Sequence, residues 1–322
     1  MQPLWRDDAP IRVGISSCLL GQAVRFDGGH KRDRFLTDEL APYFEWIPVC
    51  PEVEIGMGIP REPVQLVRAF GEVRMLGARS RRDWTRAMQA YAPRRVRALE
   101  RLELCGYVLK QDSPSCGMER VKVRNAEGLA KRAGRGLFAE ALLEASPALP
   151  VEEEGRLEDP VLRENWIERV FAYRRLRSLF EAHFSASRLV AFHSAHELQL
   201  LAHGAEAHRR LGRLVAGARK LARAELRRRY EVAFMEALAL HATPRRQVHV
   251  LTHCLGTFRD RLDAKTRAAL AAQVADYQQG RVPLAAPVTM IRHYAQQLGI
   301  ESLAGQVYLE PHPKELMLRN RV

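Results

Sequence analysis

Hydrophobic positions along the first 150 residues fall into short apolar runs separated by stretches in which apolar residues recur every three to four positions. "IRVGISSCLL" (11–20), "FEWIPVC" (44–50) and "LCGYVLK" (104–110) are apolar runs ending in turn residues, the pattern of short buried strands. "SRRDWTRAMQAYAPRRVRALERL" (80–102) and "GLFAEALLEA" (136–145) carry a helical pattern instead. Strands alternating with helices predict an α/β domain over residues 1–150, Rossmann-like, with a parallel, doubly wound sheet. "SPALPVEEEGRLEDP" (146–160) has three prolines, an acidic run and no helical period. That composition predicts a domain boundary, with residues 151–160 as an acidic linker.

From residue 161 onward the apolar spacing is almost continuously helical. It runs through "VLRENWIERVFAYRRLRSLFEA", "SASRLVAFHSAHELQLLAHG", "AEAHRRLGRLVAGARKLARAELRRRYEVAFMEALAL", "PRRQVHVLTHCLGTFRDRL" and "DAKTRAALAAQVADYQQG". Residues 161–322 are therefore predicted to form an all-α helical bundle.

Charge sharpens this division. The chain of 322 residues carries a formal net charge of +13, divided as +5 over residues 1–150, −4 over 151–160 and +12 over 161–322. A helical domain so basic and so rich in arginine fits a polyanionic partner, while a solvated arginine-rich surface is the plainer explanation. In "RLGRLVAGARKLARAELRRRY" (210–230), Arg213, Lys220, Arg223 and Arg227 recur at near-helical spacing, which predicts one phosphate-facing stripe. No N-terminal basic-plus-apolar signal is visible and no uncharged apolar run approaches the roughly 20 residues of a membrane span. A cytoplasmic location and no membrane partner are the expectation.

Five cysteines, odd in number and widely spaced, point to thiol chemistry, metal ligation or burial before disulfides. Cys18 lies just past the first predicted strand, Cys50 ends the second, and Cys116 lies in "LKQDSPSCGM" after the third. Loops at the carboxyl ends of parallel strands gather on one edge, so three distant thiols can meet there. Three thiolates suit an iron–sulfur cubane whose fourth iron is left without a protein ligand, or zinc with a water. No close-spaced C-x-x-C signature is present, and independent buried cysteines fit the spacing as well. Cys105 and Cys254 sit in apolar patterns and read as core. No G-x-G-x-x-G follows the first strand and no G-x-x-x-x-G-K-[ST] occurs, so phosphate-cradling glycine loops are missing. His249 and His253 form an i, i+4 pair and His193 and His196 lie in "HSAHE", but no H-E-x-x-H motif completes either. Core hydrogen bonding or RNA contact is the expected role.

Taken together, "SSCLLG…VRFDGGH" (16–30), "VCPEVEIGMGIPREPV" (49–64) and "LKQDSPSCG" (109–117) resemble the thiouracil desulfidase family. "HSAHELQLLAHGAEAHRRLGRLVA", "HVLTHCLGTFRDRL" and "YLEPHPKELMLRN" look like the helical YbgA-like domain. The fusion of the two is similar to bacterial enzymes that remove sulfur from 4-thiouridine in tRNA. The resemblance implies a [4Fe-4S] cluster ligated by Cys18, Cys50 and Cys116, with catalytic roles for Glu52 and Ser113.

Those residues support an expected hydrolysis in which a thiocarbonyl and water give a carbonyl and hydrogen sulfide, with no net redox change. Glu52 would move protons, and Ser113 would hold the base or relay a proton. The structural alternatives are an ion pair of Glu52 with Arg61 or Arg25, and a turn cap for Ser113. In "DGGHKRD" (27–33), His30, Lys31 and Arg32 add positive charge, as does Lys110 at the end of the third strand; they would position a nucleotide or simply decorate charged turns. A base inside tRNA must be extruded at a cost of a few kcal/mol, which the basic helical domain would offset. Desulfidation of free thiouracil and a non-catalytic, RNA-binding or redox-sensing cluster protein are the competing readings.

Overall fold

The computed structural model describes residues 11–321 except 70, 126, 182 and 183. Its described residues divide into two compact units, one ending at Leu162 and one beginning at Arg163.

In the first unit the apolar runs become β1 (Ile11–Ser16), β2 (Phe44–Val49) and β5 (Gly106–Leu109), joined by β8 (Val151–Glu153) in a sheet of order β2-β1-β5-β8. All its pairings are parallel: Val13 lies beside both Trp46 and Gly106, and Tyr107 beside Val151. Every strand therefore ends on the same edge, and that edge carries the three cysteine loops. The predicted helices appear as α2 (Thr85–Arg101) and α3 (Leu137–Ala145), preceded by a single turn, α1 (Pro51–Glu54). Met88, Ala92, Val96 and Leu99 form the buried stripe of α2, at helical spacing, and join Tyr107, Phe138 and Leu142 in one core.

The sequence pattern missed a second sheet. It has the order β4-β3-β6-β7 and consists of β3 (Val64–Ala69), β4 (Glu72–Gly77), β6 (Val121–Arg124) and β7 (Ala130–Gly134). β3 pairs antiparallel with β4 and parallel with β6, and β6 turns back antiparallel into β7. β6 alternates buried Val121 and Val123 with exposed Lys122 and Arg124, and β7 is exposed along most of its length, so charged residues interrupt their apolar pattern.

The acidic stretch expected as a linker is corrected by the structure, because Val151–Glu153 is the edge strand of the parallel sheet. Its carboxylates are buried because each has a partner. Glu152 accepts from Arg156 Nε at 2.6 Å, Glu153 from the Met118 amide at 2.7 Å, and Glu154 from Lys110 and from the Gln111 amide at 2.8 Å. The division at Leu162 falls instead inside α4 (Pro160–Glu181).

The second unit is helical throughout its described regular structure. It continues with α5 (Ala186–Ala195), α6 (Glu197–His203), α7 (Ala205–Ala216), α8 (Arg223–Ala239), α9 (Pro244–Thr257), α10 (Ala264–Gln278), α11 (Ala285–Gln297) and α12 (Glu301–Ala304). Its buried interior includes Leu251, Cys254, Phe258, Ile291 and Tyr308. Glu168 is buried within the unit and accepts from Gln199 Nε2 at 2.7 Å, with His203 Nε2 at 3.6 Å and Arg319 Nη2 at 3.8 Å. Burial opposes its charge, yet these donors hold its carboxyl well below the usual range.

The histidine expectations resolve into two groups. His193 Nδ1 lies 3.1 Å from the Tyr230 hydroxyl and His196 Nδ1 lies 2.7 Å from the Phe192 carbonyl, whereas His249 and His253 are exposed on α9.

The single basic stripe expected from Arg213, Lys220, Arg223 and Arg227 does not exist, because residues 210–230 are not one helix. The chain leaves α7 at Ala216, makes a 3-10 turn over Ala218–Lys220, and restarts α8 at Arg223. Arg213 and Lys220 are exposed on separate elements. Arg223 donates to the Phe180 carbonyl at 2.6 Å and lies 5.4 Å from the Phe184 ring centroid. Arg227 pairs with Glu231 at 3.5 Å and lies 5.7 Å from the Phe180 ring centroid. Among the described residues, no helix is long and apolar enough to cross a membrane.

Candidate active site

Three loops at the carboxyl edge of the parallel sheet close around a cavity of about 600 Å³, and all three cysteines of those loops line it. Each thiol is free of disulfide bonding and is held by the backbone that follows its strand.

Cys18 sits in a 3-10 turn, Ser17–Leu20, that starts where β1 stops. Gly21 ends the turn at φ +87°, a conformation open to glycine, and both its amide and that of Lys31 donate to the Cys18 carbonyl at 3.3 and 2.9 Å. Cys50 is the N-cap residue of α1, whose Pro51 supplies a preset φ; its amide donates to Glu54 Oε1 at 3.3 Å. Glu54 is fixed in turn by the Tyr91 hydroxyl at 2.7 Å and Arg95 at 3.1 Å. Cys116 lies in the tight turn 113–117, where the Gly117 amide donates to the Ser113 carbonyl at 2.8 Å. Against that turn stands Gly136, where a Cβ would lie 2.5 Å from the Ser115 carbonyl carbon and oxygen and 2.8 Å from the Cys116 nitrogen. The α3 N-terminus and the cysteine loop are thus in backbone contact.

Glu52 faces the same cavity and is anchored at both oxygens. Oε2 accepts from Arg61, with Nε at 3.1 Å, and Oε1 accepts from the Ser115 hydroxyl at 2.7 Å. Arg61 is only 7% exposed and also donates to the Val24 and Gly58 carbonyls, both at 3.0 Å. Of the two ion-pair alternatives the structure selects Arg61, since Arg25 faces Asp27 at 3.4 Å. Ser113 does cap the turn: its Oγ accepts from the Cys116 amide at 3.1 Å and the Ser115 amide at 3.3 Å. It also lies 3.0 Å from the Ser115 Oγ, so Ser113, Ser115 and Glu52 form one hydrogen-bonded row.

Ser115 was missed by sequence reasoning although it stands in the quoted "SPSCG". It is buried, and its hydroxyl lies 3.7 Å from the Cys116 sulfur. Ser16, also unpredicted, lines the cavity and accepts the Lys110 amide at 2.9 Å. Among the predicted cations, Lys31 and Lys110 line the cavity. Lys110 is ion-paired with Glu154. His30 and Arg32 do not line it: His30 Nδ1 accepts the Arg32 amide at 3.2 Å, and Arg32 binds Thr37 at 3.1 Å and Asp38 at 2.5 Å. Cys105 and Cys254 are packed in their cores, as expected.

Burial pushes the Cys18 thiol up from 9.0 to about 11, with Cys50 and Glu154 adding to the rise and Lys110 and Arg25 opposing it. Burial also raises Cys50 and Cys116, the latter aided by Glu52 and opposed by the Ser16 and Ser115 hydroxyls. The metal-free thiols are therefore protonated at neutral pH, and binding a metal group releases those protons. Only the thiolate is alkylated. In metal-free protein at pH 8, iodoacetamide is expected to modify half-buried Cys50 first, with Cys18 and Cys116 slow and Cys18 accelerating as pH rises toward 11. Peptide mass spectrometry reads the order; equal rates at all three would show that the loops do not enclose them.

The donor set is all sulfur and distributed around a cavity wall. Among the described residues, no three His, Cys, Asp or Glu side chains form a group that could hold a single metal ion.

Comparison with known proteins agrees with both units. Residues 13–154 match the 2-thiouracil desulfurase family and residues 197–313 match a family described as a protein of unknown function, DUF1722. The chain is 33% identical over 153 residues to the uncharacterized protein YbgA of Escherichia coli strain K12, covering 47% of this chain and 90% of that protein. It is 29% identical over 148 residues to the uncharacterized protein YbbK of Bacillus subtilis strain 168, covering 44% of this chain and 95% of that one. Among solved structures, the [4Fe-4S]-dependent thiouracil desulfidase TudS shares 30% identity over 46% of this chain and 94% of its own, with a TM-score of 0.38. The chain thus joins two families, belonging through residues 13–154 to the 2-thiouracil desulfurases and through residues 197–313 to the YbgA-like DUF1722 proteins.

Proposed function

We propose that this protein is a desulfidase that hydrolyses the thiocarbonyl of 4-thiouridine in tRNA, giving uridine and hydrogen sulfide. The observation that carries the reading is the convergence of three free thiols and an anchored carboxylate on one cavity of about 600 Å³, a volume within the usual range for small-molecule sites. Membership of the N-terminal unit in the 2-thiouracil desulfurases supports the same chemistry.

Cys18, Cys50 and Cys116 would hold a [4Fe-4S] cluster with one iron lacking a protein ligand. The residues fit such a group: the donors are soft thiols free of disulfide bonding, and among the described residues the cavity lining holds no fourth cysteine. When bound, the cluster supplies a soft Lewis acid matched to departing sulfide. The rest of the reaction falls to this chain's own side chains. Glu52, oriented by Arg61, takes a proton from the water that adds to C4 of the base. The Ser115 and Ser113 hydroxyls continue the row from its Oε1 and offer a path by which that proton reaches the leaving sulfur. The balance is C=S plus water to C=O plus hydrogen sulfide, without electron transfer. The basic region 161–322, at +12, supplies phosphate contacts that offset extrusion of the base.

The test is anaerobic reconstitution followed by tRNA containing 4-thiouridine, with free thiouracil in parallel, reading loss of the thio-base near-UV absorbance and sulfide release. Conversion of the tRNA supports the reading. Turnover of free thiouracil alone moves the substrate to the small molecule, and turnover of neither, with tRNA bound, identifies a cluster-bearing RNA binder.

A further inference from the structure

The net charge of +5 over residues 1–150 is not spread evenly: residues 119–135 hold six Lys and Arg against two carboxylates, leaving +1 for the other 133 residues. Those seventeen residues contain the β6–β7 hairpin. Antiparallel pairing sets Lys122 beside Arg132, and Arg124 follows Lys122 on the same face of β6, since Val121 and Val123 face the core. Lys122 and Arg124 line the mouth of the cysteine cavity as well.

Like charges directly across a strand pair repel and weaken the ladder unless an anion lies between them. Here the protein supplies one carboxylate for the stripe, Asp112, which pairs with Arg132 at 2.8 Å with both side chains about half exposed. Arg124 donates one N–H to the Gly128 carbonyl at 2.9 Å and keeps the rest of its fork. No described carboxylate pairs with Lys122. The Lys122–Arg124–Arg132 face is thus cationic, exposed and continuous with the cavity.

We propose that the β6–β7 hairpin is a phosphate-backbone clamp for RNA, holding the nucleotides that flank the base in the cavity. The inference rests on the desulfidase reading for its choice of nucleic acid. A base bound among Cys18, Cys50 and Cys116 brings its own sugar–phosphate chain to the cavity mouth, where these cations stand. Guanidinium forks match phosphate oxygens bidentately, and exposed lysine adds a point charge.

The experiment measures affinity of the full chain for an unmodified tRNA transcript by fluorescence anisotropy across a salt series, so that neither cluster loading nor turnover enters. The double variant Lys122→Gln/Arg132→Gln is compared with wild type and with the charge-keeping Lys122→Arg/Arg132→Lys, after thermal melting shows that all three fold. Loss of two phosphate contacts is expected to flatten the slope of log K against log salt by about 1.4–2, with the charge-keeping variant restoring it. An unchanged slope and affinity in the folded Gln variant overturns the clamp while leaving tRNA as the substrate. Absence of any tRNA binding by wild type at low salt overturns the clamp and the tRNA substrate together. Equal displacement of tRNA by polyglutamate and by single-stranded RNA of the same charge also overturns it, because the face would then take any polyanion.

Discussion

Glu52→Gln is expected to slow sulfide release by about 10²–10⁴, the usual range for one positioned acid–base group. Glutamine keeps the shape and one acceptor oxygen, so the change isolates the charge. Glu52 is 14% exposed and its partner Arg61 7%, and the variant removes the negative charge that faces that guanidinium, which keeps the Val24 and Gly58 carbonyls. Removing one member of a buried pair typically costs about 3–5 kcal/mol; partial exposure and the two carbonyls put this case below that. Single-turnover sulfide release and thermal melting separate the effects. A folded variant with wild-type turnover would make Glu52 an anchor for Arg61 and nothing more.

Gly136→Ala is expected to disable the site without touching a functional side chain. Gly136 has φ −68°, which alanine adopts freely, so the obstacle is space alone. Its Cβ would stand 2.5 Å from backbone atoms of Ser115, where carbon contacts normally lie at about 3.5–4.0 Å. Neither partner is a flexible side-chain end, so either α3 or the Cys116 loop must move. Overpacking of this kind costs about 1–3 kcal/mol. The melting temperature should fall, and iron retained per chain after reconstitution should fall further than melting explains. Wild-type iron content would show that the cysteine turn tolerates displacement.

The parts of the fold that were legible in the sequence are its most apolar runs. β5 is buried throughout, β1 is interrupted by exposed Arg12 and β2 by exposed Glu45, and the cysteine positions followed because each thiol lies in the loop that follows a strand. The second sheet was hidden because one face of it is charged, as in "VKVR". β8 was hidden more thoroughly, since three consecutive glutamates signal solvent and only the partners Arg156, Met118, Lys110 and Gln111, distant or out of pattern, reveal their burial. The break between α7 and α8 carries no proline, so apolar spacing runs across it unaltered. In the site, Cys18, Cys50, Cys116 and Glu52 were found at the cavity, whereas Ser115 stood unnoticed two residues from Ser113. Nothing local distinguishes a serine that caps its own turn from one that reaches a carboxylate 63 positions away.

The three thiols ride on separate strands, β1, β2 and β5, the last of them following the α2 crossover. Any such pocket is a late product of folding, because its walls meet only after loops spanning some hundred residues have closed. A nascent chain that has emerged past Cys50 but not past Cys116 has two of the three cavity thiols and no pocket. A cluster held by Cys18, Cys50 and Cys116 would then find its three ligands only in a finished domain, and its loading would depend on delivery rather than on folding around it.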